Sequence, residues 1–319
     1  MRLSILDFQT PAAAIELVQR ADALGYHRYW LGEHHSPDQC ANPLLLATVL
    51  AGLTERIRVG SGGVCLRYWA PYRLAEDARL ACYLFPDRLD LGVTKGLRYE
   101  PEALQQALGG DAEFKVHSYE EQMTALHQHL TGRLPDGHPL AGLPPYLEEG
   151  PPLWILGGSA ATARLAARLG AGFCLSLHHA PDVESARAVI AEYVATFAPS
   201  PELPRPQAVA ALSGICAATR GEALKLAAES AAVAGGGAGA GADGGTGDGG
   251  RAPGELASQV AVGRRHFFGE PEECADSLAA LAGRLGVEEL MVLDFIYGHW
   301  QGRCRMYELL AEACGLAGG

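Results

Sequence analysis

Eight short apolar runs, separated by segments of helical spacing, constrain this chain more than any other feature. The runs fall near residues 2–6, 28–31, 57–60, 88–92, 152–156, 172–176, 207–217 and 288–293. They show little polar alternation, which marks strands buried on both faces. Such strands belong to parallel sheets covered by helices. The helical segments between them have readable ends. Pro11–Gly25 opens on proline and closes on glycine, Ser159–Gly170 is alanine-rich and closes the same way, and a third segment runs from Pro271 to Gly286. Strands alternating with helices predict an α/β fold. A count of eight favours a single closed (β/α)8 TIM-type barrel over an open doubly wound sheet. The 319 residues, 48% of them hydrophobic, suffice for one such domain spanning residues 1–319.

Two stretches break the pattern. Residues 132–151 are rich in proline and glycine and read as a loop leading to the fifth strand. Residues 234–250 are almost entirely glycine and alanine. That composition cannot bury apolar surface, so a disordered, flexible Gly-rich insertion is expected after strand 7. It reads either as an inert linker or as a mobile lid over the barrel mouth.

Bulk chemistry removes several classes of function. The formal net charge is -12 and no basic stripe is present, which argues against a nucleic-acid partner. The eight cysteines are scattered without a Cys-x-x-Cys pair. They read as small core hydrophobes in a reducing compartment, not as a zinc ribbon or redox dithiol. The most apolar run, Pro43–Leu53, is too short to span a bilayer, and no basic n-region opens the chain. A soluble cytoplasmic protein is expected, with no membrane partner.

The chemistry concentrates at strand ends. Arg28-Tyr-Trp-Leu-Gly-Glu-His-His35 is a short apolar strand that stops at a glycine and opens into a carboxylate and two imidazoles. Barrel enzymes keep their reacting groups at such C-terminal strand ends. Arg56-Ile-Arg-Val-Gly-Ser-Gly-Gly63 repeats the design with backbone that has almost no side chains, against which a ligand can lie. His34 is a candidate proton-transfer residue because an imidazole titrates near neutral pH; the alternative is a hydrogen-bonded structural histidine. No Gly-x-Gly-x-x-Gly stands at a strand–helix junction, so dinucleotide binding is weakly supported. His178-His179 could join His34-His35 around a metal, making a metal-dependent hydrolase the alternative. Against it, the first strand ends Leu6-Asp7-Phe8 without a His-x-His, and His127 and His129 read as lying on a helix exterior.

The strand-end segments together resemble the bacterial luciferase-like flavin monooxygenases. Pro71-Tyr-Arg-Leu-Ala-Glu-Asp77, Phe85-Pro-Asp-Arg-Leu-Asp-Leu-Gly92, Pro152-Leu-Trp-Ile-Leu-Gly-Gly-Ser159, Val287-Glu-Glu-Leu-Met-Val-Leu293 and Arg305-Met-Tyr-Glu-Leu-Leu-Ala311 match that family in order. The resemblance implies a barrel, usually a homodimer, that takes reduced FMN as a co-substrate from a separate flavin reductase. With O2 it oxygenates a small organic substrate, and no metal is involved. It implies proton transfer by His34 and a non-prolyl cis peptide at Gly62-Gly63 under the flavin ring. It implies a cofactor loop at Thr94, Lys95 and Leu97, with Lys95 where luciferases carry an arginine on the phosphate. Gly158, Ser159 and Thr162 then form a phosphate cradle at a helix start. The family's luciferases have a mobile loop after the seventh strand. Departures lie in Val64–Pro71, bulkier than usual, and in Thr94-Lys-Gly-Leu-Arg-Tyr99; both bear on substrate class. A catalytically silent flavin- or deazaflavin-binding relative is the remaining alternative.

Overall fold

The computed structural model describes residues 1–36, 39–96, 102–109, 117–141, 150–236 and 266–316. In chain order the elements are β1 (Arg2–Asp7), α1 (Pro11–Ala23), β2 (Arg28–Leu31), α2 (Pro43–Gly52), β3 (Arg58–Cys65), α3 (Pro71–Leu84) and β4 (Leu89–Thr94). Then come α4 (Glu102–Gly109), α5 (Tyr119–Thr131), β5 (Leu153–Gly157), α6 (Ala160–Arg168), β6 (Gly172–Ser176) and α7 (Val183–Thr196). The chain continues through β7 (Ala208–Cys216), α8 (Arg220–Gly236), β8 (Phe267–Gly269), α9 (Pro271–Leu285), β9 (Glu289–Asp294) and α10 (Trp300–Ala313).

All eight apolar runs are strands. Each pairs in parallel with its neighbour from β1 to β7, and β9 closes the ring between β7 and β1. The fold is a closed eight-stranded α/β barrel of the TIM type. The short β8 was not legible: it adds only Phe267–Gly269 to the far end of β7, beyond most of the register that β7 shares with β9. Helix ends follow the sequence signals. Thr10 caps α1, with Pro11 in the first turn, and glycines with positive φ follow α1, α6 and α9 at Gly25, Gly170 and Gly286. The expected start of the Gly-rich tract shifts: α8 runs on to Gly236, because the alanines before it favour helix. The rest of that tract lies outside the described residues, as does Leu97.

The strands are buried on both sides, which explains their unalternating sequence. The outer core lies between strands and helices. A separate inner core fills the barrel with Leu6, Trp30, Trp154, Met291, Leu293 and Phe295 among others. Trp30 and Trp154 meet edge to face at 5.8 Å. Glycine makes room for them: a Cβ on Gly62 would lie 2.8 Å from Trp30 Cβ. Six of the eight cysteines are buried and all are free, which agrees with their reading as core residues.

Charge seals the N-terminal end of the barrel interior. Asp90 accepts from Arg28 Nε at 3.1 Å, Arg58 Nε at 2.7 Å and Trp154 Nε1 at 3.0 Å. Burial acts to raise the Asp90 pKa, but Arg28 and Arg58 outweigh it and hold the group below the usual carboxylate range. Arg28 also bonds Glu289, which accepts from Ser4 at 2.5 Å. A second buried network clasps α10. Arg303 donates to Asp294 at 2.6 Å and to Asp7 at 2.8 Å, while Tyr307 bonds Asp294 and Tyr29 bonds Asp7. The outer faces of α2 and α3 stay apolar and exposed, through Leu45, Val49, Leu53, Leu80, Tyr83 and Leu84. Among the described residues no helix is long and apolar enough to cross a membrane.

Two glycines should respond oppositely to alanine. A Cβ on Gly92 would sit 2.0 Å from Ser61 O, in backbone that cannot yield locally. Gly92→Ala is expected to destabilise by ~3 kcal/mol or more. Gly283 lies exposed within α9 with nothing within 4 Å of a new Cβ. Gly283→Ala should stabilise by ~0.5–1 kcal/mol. Urea unfolding of both variants checks the pair.

Candidate active site

The parallel barrel brings the ends of β2, β3, β4 and β5 to one mouth, and with them Glu33, Gly62, Lys95 and Gly158. The loop after β2 is fixed by the buried carboxylate of Glu33. It accepts from the Cys65 N–H at 2.7 Å, at the last residue of β3, and from the Trp69 indole at 3.2 Å, just past the turn that follows. His35 Nε2 lies 2.9 Å from the same carboxylate. Burial raises the Glu33 pKa, and these hydrogen bonds oppose it. Glu33 and His35 therefore hold the loop, and His34 between them is left for other work.

The His34 backbone N–H donates to Cys40 O at 2.9 Å, which folds the loop back on itself. Its ring meets Phe8 edge-on at 5.0 Å, and it has no side-chain hydrogen bond among the described residues. Phe8 packs on the inner core, so the imidazole lies over the barrel interior. Gly32 permits this: a Cβ there would lie 1.9 Å from the Phe8 ring. The expectation of near-neutral titration is corrected here. Burial, helped by the adjacent His35, pushes His34 down to about 4, so the ring is neutral at pH 7 and can accept a proton.

The peptide between Gly62 and Gly63 is cis. The ladder to β4 shifts register between Ser61 and Val64, then resumes with Cys65 opposite Thr94. A single helical turn, Leu66–Tyr68, follows and packs on the His34 loop through Tyr68, whose ring is 5.9 Å from that of His35. Beyond β4, Lys95 is exposed and takes no partner among the described residues. Beyond β5, Ser159 caps α6: its Oγ accepts from Thr162 N at 3.2 Å and lies 3.0 Å from Thr162 Oγ1. Gly157 keeps that turn tight, since a Cβ there would come 2.8 Å from Thr162 Cγ2. The Ala160 and Ala161 amides in the first turn of α6 take no partner among the described residues, as is usual at a helix start. Gly158 faces His179, 3.3 Å from a Cβ placed on it.

Sequence reasoning missed the lining of the mouth. Phe8, Leu156 and Tyr297 pack on the inner core, and Phe295 belongs to it. His178 contacts His266 at 5.6 Å and Phe295 at 6.1 Å. A period of two from Leu6 to Phe8 and from Leu293 to Phe295 was the available signal, hidden because both faces of these strands are apolar. His129 also departs from expectation. It is buried between Tyr72 and His138, at 5.1 and 5.9 Å, and not on a helix exterior. Among the described residues no three His, Cys, Asp or Glu side chains could share a metal ion. A hollow of about 480 Å³ between α1 and α10, lined by Glu16, Arg20, Trp300 and Cys304, lies on the outer wall, and Arg20 there already pairs with Glu16 and Glu308.

The depressed pKa of His34 makes a stability prediction. The unfolded imidazole takes up a proton near pH 6.5, whereas the folded one waits until about 4. His34 thus favours the folded state fully above pH 6.5, and that contribution is lost as pH falls from 6.5 towards 4. Its loss amounts to at most roughly 3 kcal/mol. His27 is also held down to about 4, first by burial, and acts in the same direction. His34→Gln should flatten part of the decline in urea midpoint between pH 7 and 4.5, leaving the His27 share. An unchanged slope would show that His34 is not held neutral.

Comparison with known proteins agrees with this geometry. Residues 3–289 match the family model described as luciferase-like monooxygenase. The uncharacterized protein YwcH of Bacillus subtilis (strain 168) is 31% identical across 98% of both chains. N-acetyl-S-alkylcysteine monooxygenase of the same organism is 37% identical over 192 residues, 54% of this chain and 56% of its own. Among solved structures, apo-MsnO8 superposes with a TM-score of 0.79 at 30% identity, covering 99% of this chain and 98% of its own. Two more distant structures share the fold. The oxygenating constituent of 3,6-diketocamphane monooxygenase from Pseudomonas putida, in complex with FMN, has a TM-score of 0.68 at 16% identity and covers 98% of this chain and 97% of its own. An F420-dependent secondary alcohol dehydrogenase has 0.67 at 13% and covers 98% of both. With a family model spanning almost the whole barrel and full-length relatives at this identity, the chain belongs to the luciferase-like monooxygenase family.

Proposed function

We propose that the protein is the oxygenase of a two-component system: it takes FMN reduced by a separate flavin reductase and, with O2, oxygenates a small organic substrate. One observation carries this reading. A single barrel mouth combines a neutral imidazole over the interior (His34), a capped helix start (Ser159, Thr162) and an exposed ammonium with no partner among the described residues (Lys95). The donor set fits a flavin monophosphate. Open amides of α6, the two hydroxyls and Lys95 suit the phosphate, and the apolar rings of Phe8 and Phe295 suit a flat ring system. Support also comes from the FMN-bound oxygenating constituent that shares the fold. Gly62, Gly63, Thr94 and Gly158 contribute backbone to the same mouth, and Leu97 is assigned to the cofactor loop from sequence alone.

Bound reduced FMN supplies the electrons that let one oxygen atom enter the substrate while the other leaves as water. The chain's own residues do the rest. His34 accepts and returns a proton at the mouth, Glu33 and His35 fix its loop, and Phe8 shields it from water. The exposed apolar faces of α2 and α3 support a homodimer built through them. The free, buried cysteines fit a cytoplasmic setting.

The test is aerobic turnover of a substrate panel with photoreduced FMN, scoring oxygenated product. Binding of a deazaflavin with no affinity for FMN would replace the reading. His34→Ala should still bind FMN while turnover falls by ~10²–10⁴-fold; a fully active variant would remove His34 from the chemistry. Lys95→Met should weaken FMN binding by ~1–3 kcal/mol and riboflavin much less, since riboflavin lacks the phosphate. Equal losses for the two ligands would place Lys95 elsewhere.

A further inference from the structure

Arg67 is a feature of the mouth that the flavin reading does not use. It sits in the Leu66–Tyr68 turn, whose flanks are tied to Glu33 by the Cys65 N–H and the Trp69 indole, at 2.7 and 3.2 Å. Its stem lies across Gly96, next to Lys95: a Cβ on Gly96 would come 2.9 Å from both Cγ and Cδ of Arg67. Its guanidinium is 5.8 Å from the centre of the Tyr68 ring, and that ring in turn leans on His35. Packing from three directions therefore fixes where this cation stands.

Arg67 takes no carboxylate among the described residues, although the chain carries 37 acidic residues to 25 basic ones. Arginines on the outer helices behave otherwise: Arg20, Arg73, Arg164, Arg168 and Arg187 all pair with acids. A partly buried guanidinium without a counter-charge has lost hydration and recovers it when an anion arrives. The phosphate of a flavin already has α6, Ser159, Thr162 and Lys95 on the β4–β5 side of the mouth. Arg67 belongs to the turn after β3, where the neighbouring Tyr68 ring leans on His35 of the loop that carries His34, and its stem lies across Gly96 beside Lys95.

We propose that Arg67 is a specificity-determining residue that binds the carboxylate of an anionic organic substrate and so holds that substrate beside His34. This rests on the reading of the mouth as an oxygenase site. It makes carboxylates the preferred substrate class over neutral molecules of the same shape.

The test measures equilibrium binding of benzoate and hexanoate against their uncharged amides, benzamide and hexanamide, by quenching of tryptophan fluorescence. Wild type, Arg67→Gln and Arg67→Lys are compared, with thermal melting to check folding. FMN and riboflavin affinities are measured on the same three proteins. Wild type should prefer each carboxylate to its amide by about 10–100-fold. Arg67→Gln should abolish the preference, Arg67→Lys should restore part of it, and the ratio of FMN to riboflavin affinity should not move. Equal binding of acid and amide by wild type would overturn the proposal. So would a selective loss of FMN in Arg67→Gln, which would assign Arg67 to the phosphate instead. A protein that binds the carboxylates through Arg67 but neither FMN nor riboflavin would keep Arg67 as a carboxylate site and remove the flavin reading.

Discussion

One carboxylate holds the barrel in register. Asp90, on β4, is bonded by side chains from β2, β3 and β5, so four consecutive strands meet at a single group. Arg28 extends the net to Glu289 on β9, and Ser4 extends it to β1. Removing one partner from such a buried set would leave a charge without compensation, which costs several kcal/mol. Register matters here because a slip of one residue exchanges the inner and outer faces of a strand. With the lower ends pinned, the upper ends come level, and the loops that carry Glu33, Lys95 and Ser159 face one another.

The mouth is a division of labour within a short segment. Glu33 and His35 spend their hydrogen bonds on each other and on the turn after β3, while His34 spends only its backbone amide. Three adjacent polar residues thus have separate jobs, set by which of them is satisfied. The burial that lowers the His34 pKa also keeps the ring neutral, whereas the same burial raises Glu33.

Much of this was legible from residues alone. The eight strands, the glycine-closed helices and the polar strand end at Glu33–His35 follow from apolar runs, terminal signals and the habit of barrels. The Gly62–Gly63 cis peptide followed from resemblance, since the residues themselves suit a tight turn equally well. Other features could not be read. β8 is three residues long and borrows its stability from β7. His129 looked exposed because a polar residue on a helix is normally outside, yet the rings of Tyr72 and His138 meet it edge to face and it is buried. Asp90 and Arg28 are far apart in sequence, and nothing local marks them as partners.

The clasp on α10 has a consequence for how the ring can open. Arg303 reaches back to Asp7, 296 residues away, and also neutralises Asp294. Asp7 ends β1 and Asp294 ends β9, and these two strands are neighbours in the sheet. Parting them would leave at least one buried carboxylate without its cation, which costs several kcal/mol. The seam between β1 and β9 is thus guarded against local opening by the same cation that anchors α10.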